Sequence, residues 1–561
     1  MTRIKALVLT ALLFPCSLVV ATYGQAQTTK ADLLKIDKGF KTFTQETWNG
    51  NGRTCGTCHR PDESYNIFPS TIKTLSKSEQ ALVFATNVPG LENMDLVKSH
   101  AVFNVEADTP CSSTDPLCWR LYGKPGPTFR STMNIQALDL TTPNPATFPL
   151  GTGADKFPGT SKLPAKCSRS LATGLLPQLG WSGDGSPGTP VTDNDCHVHH
   201  GFLDPGADGS IRAFCNGAVA QHSTKSLLRR PGTDFRLPTS DEMDSLEALQ
   251  RWLGRRALTA EENWNQGTTN ASEFLLTKLS FTDPRVAKGR DHFLGAGIVN
   301  PKAPGNPPPQ TTFNTTNGAG CQACHGDGGA ISGIATINRN INLNTFVELD
   351  SEDIGNSLFG VALPLDDGGY TPFVPPPAAP RGAFNIQSII EAAEKKAWFH
   401  NHKAVGDFEQ AIAHYGSDDF VNNVAPPGLV APLTLLQNGN GVSIGFPQGD
   451  GINHLGAFLR ALNAFYNLRD CERLIDEAVT RVQLGISVDG PVRQSLFNLS
   501  RVIRVLYQSK LPGLYPDVQF GAAAISLGIE VAALTGNVAL FQEIKVAVRK
   551  LRDSIAVQTS S

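Results

Sequence analysis

The sequence predicts a mainly α-helical protein that contains two tandem copies of one domain, long irregular loops and a C-terminal helical appendage. Three observations lead to this prediction: a short cysteine motif occurs twice, its surroundings repeat in the same order, and apolar residues at helical spacing close each copy. The content of 53 glycines and 38 prolines indicates long irregular connections. A chain of 561 residues exceeds one ordinary hydrophobic core and should divide into two or three domains.

The N-terminus has the pattern of a secretory signal peptide. Arg3 and Lys5 precede an apolar stretch over 6–21, and small residues over 24–26 suit a cleavage site. We therefore expect a signal peptide over 1–26 and a periplasmic or secreted mature protein; the alternative is an uncleaved anchor helix. No other segment is predicted to span a membrane, and the net charge of -3 favours neither nucleic acid nor an anionic surface.

The motif C-x-x-C-H occurs at 55–59 and again at 321–325. Two thiols at this spacing reach the two vinyl groups of one haem, and the adjacent histidine supplies a nitrogen to the iron. The alternatives are a thioredoxin-like motif, which needs a βαβ setting, and half of a zinc site, which needs more ligands. The sequence therefore predicts two covalently bound haem c groups, attached through Cys55, Cys58, Cys321 and Cys324, with His59 and His325 as proximal ligands.

The surroundings of the two motifs are also repeated. Five pairs of segments match in the same order: 38–43 with 288–293, 51–55 with 317–321, 134–138 with 385–389, 181–185 with 398–402, and 246–253 with 455–462. The first pair shares Lys-Gly-x-x-x-Phe, and the last shares Leu-x-Ala-x-x-Arg-x-Leu. Each match is weak alone, but their common order indicates an internal duplication.

These matches divide the chain into an N-terminal c-haem domain over 27–267, a C-terminal c-haem domain over 268–467 and a helical extension over 468–561. Each copy is expected to open with a helix before the motif and to close with an amphipathic one. In the first closing helix, Thr239 and Glu242 form a capping box. The extension has apolar residues at helical spacing and no chemical motif, so we expect it to be structural.

Six more cysteines remain after the signal peptide and the motifs are set aside. An even remainder in an exported chain predicts disulfides, whose connectivity the sequence leaves open. These cysteines are Cys111, Cys118, Cys167, Cys196, Cys215 and Cys471.

The ordered motifs over 32–465 resemble the bacterial di-haem cytochrome c peroxidase superfamily, which includes MauG and the latex-cleaving rubber oxygenases. The resemblance implies a class I cytochrome c-like fold for each domain. It also implies an N-terminal haem that reacts with peroxide or oxygen and a C-terminal haem that transfers electrons. Trp181 then stands where the family has a charge-relaying tryptophan, although a packing aromatic is an equal alternative. A Ca2+ ion between the domains, and a small redox protein or quinone-linked electron donor, are further implications.

Two positions depart from the peroxidase pattern. Phe214 stands where peroxidases have a glutamine, and Thr224 where they have a glutamate. Because phenylalanine cannot serve as an acid or base, ordinary peroxide reduction is disfavoured, and an apolar pocket like that of the rubber oxygenases is implied. His222, or a histidine of 197–200, could restore a base or close the site as a sixth ligand; for 197–200 an exposed polar loop is preferred.

The second haem has no methionine ligand in its own domain, because every methionine precedes Cys321. Tyr370 and His454 are the replacement candidates. A histidine is slightly favoured, because a neutral nitrogen needs no ionisation to bind iron.

The sequence thus favours an exported di-haem c-type oxidoreductase whose catalytic candidates are Trp181, Phe214, His222 and Thr224. Two alternatives remain open. One is a rubber-oxygenase-like dioxygenase that acts on an apolar substrate, and the other is a non-enzymatic electron-transfer cytochrome with six-coordinate irons.

Overall fold

The fold is taken from a computed structural model of the chain. It describes residues 29–104, 129–133, 135–136, 211–254, 276, 279–294, 321–323, 325, 328–329, 342–344, 383–385, 387–415 and 450–558. Within these ranges the chain is mainly helical with a few short strands, so the predicted mainly α class is confirmed. The signal peptide, Trp181, Tyr370 and Cys324 lie outside the described residues.

The N-terminal part contains helices α1 to α7 and one short strand pair. The helices are α1 Lys30–Gln45, α2 Cys55–Cys58, α3 Pro69–Thr74, α4 Lys77–Val83, α5 Met94–His100, α6 Ile211–His222 and α7 Ser240–Leu253. Strands β1 (Val102–Asn104) and β2 (Phe129–Ser131) pair antiparallel. The predicted capping box at Thr239 is confirmed, because its side chain accepts from the Glu242 backbone amide while Glu242 caps the Thr239 amide.

The central part contains three α-helices and five more short strands, four of which form two pairs, among the residues that the structure describes. The helices are α8 Pro284–Leu294, α9 Phe408–His414 and α10 Asp450–Gln483. The strands are β3 Leu279–Phe281, β4 Asn342–Asn344, β5 Ala383–Asn385, β6 Ala397–Trp398 and β7 Ala404–Val405. Strand β4 pairs with β5 and β6 pairs with β7, both antiparallel.

Two close helix crossings occur at matching positions of the duplicated sequence. A Cβ atom on Gly39 of α1 would lie 2.1 Å from the Ser245 carbonyl oxygen of α7. A Cβ atom on Gly289 of α8 would lie 2.0 Å from the His454 carbonyl oxygen of α10. Ser245 and His454 each precede the repeated Leu-x-Ala segment, so the sequence match and the packing agree. Glycine is needed at both positions because any side chain would overlap the facing backbone.

The C-terminal extension forms helices α11 Asp489–Tyr507, α12 Pro516–Thr535 and α13 Val538–Ile555, followed by strand β8 Ala556–Gln558. The predicted boundary at 467/468 lies inside α10, which continues into the extension. Strand β8 pairs antiparallel with β3, about 275 residues earlier in the chain. The apolar core of α8 and α10 therefore continues without a break into α11, α12 and α13.

The extension also contacts the N-terminal part. Arg481 is fully buried on α10, and its guanidinium donates to Asp37 on α1 (2.9 Å) and to Glu477 (2.8 Å). The Trp252 indole of α7 donates to the other oxygen of Glu477 at 2.6 Å. Both the first and the last helices of the N-terminal part are thus tied to α10, which agrees with the structural role expected of the extension.

Helix α12 is long and apolar enough to span a membrane by length and composition. The sequence analysis did not anticipate this property. Core helices of soluble proteins also have it, and one side of α12, with Val518, Ala522, Ile525 and Ile529, is buried against the other helices of the extension.

No disulfide joins cysteines within the ranges that the structure describes. Cys215, expected to be in a disulfide, instead accepts a hydrogen bond at Sγ from the Gln250 amide (2.8 Å). Cys471 is a buried thiol that donates to the Ser495 carbonyl at 3.6 Å. The disulfide prediction for Cys111, Cys118, Cys167 and Cys196 concerns residues that the structure does not describe.

Candidate functional site

The first C-x-x-C-H motif forms a single helical turn. Helix α2 spans its two cysteines, and the amide of His59 donates to the Cys55 carbonyl at 2.9 Å. The Nδ1 atom of His59 lies 2.9 Å from the carbonyl oxygen of Tyr65. A carbonyl oxygen can only accept, so this contact places the imidazole proton on Nδ1 and leaves Nε2 with the lone pair that binds a metal.

The second motif has the same arrangement. The amide of His325 donates to the Cys321 carbonyl at 2.8 Å, and Nδ1 of His325 faces the carbonyl oxygen of Gly329 at 3.3 Å. Proximal haem histidines are typically oriented by such a hydrogen bond from the other ring nitrogen. The hydrogen-bonding geometry of His59 and His325 is therefore compatible with proximal iron ligands. The C-x-x-C-H spacing alone does not require a backbone carbonyl at Nδ1.

Burial lowers the pKa of both histidines. For His325 the pKa falls to about 4, and hydrogen bonds to the backbone of Gly329 and Gln387 offset only part of the effect. For His59 burial again dominates over hydrogen bonds to the backbone of Tyr65 and Met133. Both imidazoles are therefore neutral near pH 7, which is the form that binds a metal.

The segments around the repeated Asn-Ile-Gln lie beside the two proximal histidines. In the first half the amide of Ile67 donates to the Thr132 hydroxyl at 3.2 Å. In the second half the amide of Ile389 donates to the Gly328 carbonyl at 3.0 Å. The sequence repeat thus corresponds to a segment that supports the chain just after the proximal histidine in both halves.

The cysteines of the first motif are thiols rather than thiolates. Burial raises the pKa of Cys55 to about 12 and that of Cys58 to about 11. Within the described residues, no group of three or more His, Cys, Asp or Glu side chains is arranged to hold a metal ion.

Aromatic side chains of the matching helices lie at the two sites. The ring of Phe43, on α1, is 6.2 Å from the His59 ring and 6.1 Å from the Tyr65 ring, measured between centroids. Its counterpart Phe293, on α8, packs at 5.4 Å from Phe458 of α10. The rings of Phe43 and Tyr65 thus give His59 an aromatic, apolar environment.

His222 is the titratable candidate that the structure brings to the first site. It is the last residue of α6, and its carbonyl accepts from the Asn51 side-chain amide at 2.8 Å, just ahead of the motif. Burial, followed by the positive charges of Arg53 and Arg229 and by His59, lowers the pKa of His222 to about 3. A neutral imidazole near His59 has a lone pair that can bind a metal, but with this pKa it is both a weak base and unable to donate a proton as an acid at neutral pH.

The remaining site candidates lie as follows. Thr224 is fully buried, and its hydroxyl donates to the Ser226 carbonyl at 2.7 Å while accepting from the Ser226 amide. That hydroxyl therefore closes a local turn. The backbone of Phe214 lies in α6, one residue before Cys215, but its side chain is outside the described part of the structure.

His454 lies at the crossing of α8 and α10. Its carbonyl faces Gly289. On α8, the pKa of His292 is lowered first by burial and then by the charges of Lys288 and His454. In the repeated segments, His454 corresponds to Ser245. Each of these two residues also places its carbonyl against the glycine of the facing helix. The role of His454 as an iron ligand stays a prediction.

Sequence reasoning missed a buried ion pair beside the first motif. Arg53 and Glu92 are almost fully buried and lie 2.7 Å apart, and Arg53 also donates to the carbonyls of Leu82 (2.8 Å) and Val83 (2.5 Å). Burial raises the pKa of Glu92, and the Arg53 charge opposes this shift. The pair fixes the chain on the N-terminal side of Cys55. Arg53 and Glu92 are 39 positions apart, and no sequence pattern links residues at that distance. The one local signal was a charged side chain, Arg53, two residues before Cys55.

Sequence reasoning also missed Tyr65, the backbone acceptor for His59, and Lys396, which joins the two halves at this point. The Lys396 ammonium donates to Glu63 at 2.6 Å, two residues before Tyr65. Neither residue belongs to a recognised motif.

Comparison with known proteins gave no assignment. No model of a protein family matches the chain, no curated protein matches it, and no solved structure matches it.

Proposed function

We propose that the chain is an exported di-haem c-type oxidoreductase built from two tandem class I cytochrome c-like domains. The observation that carries the proposal is the shared geometry of His59 and His325. Each follows a C-x-x-C turn, each directs Nδ1 to a backbone carbonyl, and each is held neutral by burial. The matched helix crossings at Gly39 and Gly289 support the tandem arrangement.

The residues of the chain would hold two haem groups in the same way. Cys55 and Cys58 would attach the first covalently and His59 would bind its iron, while Cys321, Cys324 and His325 would do the same for the second. A bound haem supplies one-electron chemistry and, where one face of the iron stays open, reaction with oxygen or peroxide. The protein side chains supply orientation, an apolar enclosure and control of protons.

In the first domain, His222 would be the titratable side chain beside His59. The peroxidase family's glutamate position is Thr224, whose hydroxyl is engaged with Ser226. Because its pKa is lowered to about 3, His222 is neutral and a weak base, and the charge of Arg53 is paired with Glu92. These residues therefore supply neither a strong acid nor a strong base, which agrees with the departures from the peroxidase pattern at Phe214 and Thr224.

A rubber-oxygenase-like activity on an apolar substrate is a second candidate. It is favoured by the position of Phe214 on α6, the helix that ends at His222. An electron-transfer cytochrome is a third candidate, favoured by the closeness of His222 to His59, because a histidine that binds the sixth position leaves the iron inert to oxygen.

The first experiment counts haems and determines which motif holds each one. We expect two haems per chain in protein exported by a cell with c-type maturation, and one haem in Cys55→Ala/Cys58→Ala and in Cys321→Ala/Cys324→Ala. The matched control Cys215→Ala should keep both. A wild-type chain without covalent haem would refute the proposal.

The second experiment separates the three functions by spin state and reactivity. A high-spin signal that disappears in Cys55→Ala/Cys58→Ala would identify an open first site. Peroxide added to the half-reduced protein then tests the peroxidase-like activity, and alkene or polyisoprene cleavage tests the oxygenase. Two low-spin haems that react with neither would leave electron transfer, and His222→Ala should then open the first site.

A further inference from the structure

The loop that follows His59 contains two consecutive non-glycine residues in the left-handed region. Ser64 has φ 58° and Tyr65 has φ 57°. A Cβ atom makes this conformation unfavourable, so it persists only where the surroundings hold it. After His325 the structure describes Gly328 and Gly329 of the following segment, and Gly328 has φ 81°, a conformation that carries no such penalty for glycine. Among the described residues that follow the two histidines, the strained ones are therefore Ser64 and Tyr65.

The strained residue is also the one that orients the histidine. Tyr65 presents its carbonyl to Nδ1 of His59 at 2.9 Å, and its amide donates to the Arg60 carbonyl at 2.8 Å. If Tyr65 relaxed to an ordinary right-handed or extended conformation, its peptide plane would rotate and the carbonyl would leave the imidazole. The direction of the His59 ring therefore depends on what keeps Tyr65 in place.

Helix α11 of the extension supplies that support. The Tyr65 hydroxyl donates to Oε1 of Gln494 at 3.3 Å, and the Gln494 amide donates to Asn498 one turn further along at 3.1 Å. Tyr65 and Gln494 are 1% and 3% exposed. From the same helix, Arg501 donates to the Pro61 carbonyl at 3.1 Å, so α11 holds the loop at both ends.

We infer that helix α11, through Gln494 and Tyr65, positions the imidazole of His59 and thereby sets how strongly that histidine donates electrons to its iron. This inference rests on the proposed function. It gives the C-terminal extension a role beyond packing. A hydrogen bond to Nδ1 makes the imidazole a stronger donor, which favours the oxidised metal. The extension would then tune the first haem and leave the second unchanged, because His325 is oriented by Gly329 instead.

The test removes only the hydroxyl, with Tyr65→Phe, and compares it with Gln494→Leu and the double variant. Amide hydrogen exchange at Tyr65 and Asn66 should accelerate about tenfold in each single variant, since one buried hydrogen bond is lost. In a redox titration, the reduction step that is missing from Cys55→Ala/Cys58→Ala should move to a higher potential, and the other step should stay. The double variant should add little to either single one, because both remove the same bond.

Tyr515→Phe is the matched control. Tyr515 is also left-handed (φ 47°), and its hydroxyl donates to the Ile555 carbonyl at 3.2 Å and accepts from the Asp283 amide at 3.3 Å, both outside the loop that follows His59. It should change neither the potentials nor exchange in the loop. An unchanged potential in Tyr65→Phe, with or without faster exchange, would overturn the inference while the haem count stays at two. A wild-type chain lacking haem would instead overturn the proposed function, and absorbance of the same samples distinguishes these results.

Discussion

Substitution of Gly289 by alanine tests the helix crossing that defines the second half. The new Cβ atom would lie 2.0 Å from the His454 carbonyl oxygen and 2.7 Å from the Cβ atom of Phe458. Ordinary contact begins at 3.4 Å, so α8 and α10 would have to separate by about 1.4 Å. Because the atoms that clash are backbone and Cβ, no side chain can rotate to relieve the overlap.

The expected loss follows from this geometry. Overpacking of a core costs about 1–3 kcal/mol, and a clash with backbone on a buried crossing belongs at the upper end. We therefore expect Gly289→Ala to destabilise the protein by about 3 kcal/mol, and Gly39→Ala, which meets the Ser245 carbonyl at 2.1 Å, to cost a similar amount.

Urea unfolding monitored by circular dichroism measures the effect as a shift in the transition midpoint, with Gly217→Ala as the matched control. Gly217 lies in α6, and a Cβ atom added there would meet no heavy atom within 4 Å, so alanine should stabilise the helix by about 0.5–1 kcal/mol. If Gly289→Ala shifted the midpoint no more than Gly217→Ala, the proposed close crossing, and with it the argument from the duplicated glycines, would be refuted.

Two more predictions concern charged contacts. Arg481→Met should destabilise the protein by about 3 kcal/mol, because it removes the closest cationic partner of the largely enclosed Glu477 and a partner of Asp37. Lys545→Met, at the more exposed pair with Asp476, should cost less than about 1 kcal/mol, and thermal unfolding compares the two variants. The hydrogen bond from Arg236 lowers the pKa of Glu242 to about 2. Its contribution to stability should therefore be present above pH 4.5 and disappear as the pH falls towards 2, and a Glu242→Gln variant should lack this part of the acid dependence of unfolding.

Short-range patterns in the sequence predicted the parts of the fold that depend on local chemistry. The capping box at Thr239 needs only a hydroxyl and a carboxylate three residues apart, and it forms as expected. The matched glycines were also informative, because a close helix crossing requires glycine and the same requirement appears in both copies. The assignment of His59 and His325 as proximal ligands rests on the covalent chemistry of the motif and stays a prediction.

What the sequence did not reveal depends on contacts between distant segments. The pairing of β3 with β8 joins residues about 275 positions apart, and no local pattern in either strand identifies its partner. The sequence also did not predict that α10 continues through the expected domain boundary at 467/468. An apolar helical pattern does not show where one hydrophobic core ends and the next begins.

Tyr65 illustrates the limit most clearly for the candidate site. Tyr65 orients His59 through its backbone carbonyl, a group that every residue has. It also adopts a left-handed conformation that a residue with a Cβ atom disfavours. Glycine and asparagine are the usual residues at a left-handed position, and Gly328, close to His325, is such a glycine. At Tyr65 the phenol instead reaches Gln494 on α11, a contact over 429 positions. No local pattern identifies that contact, so the conformation of Tyr65 could not be predicted from the residues around it.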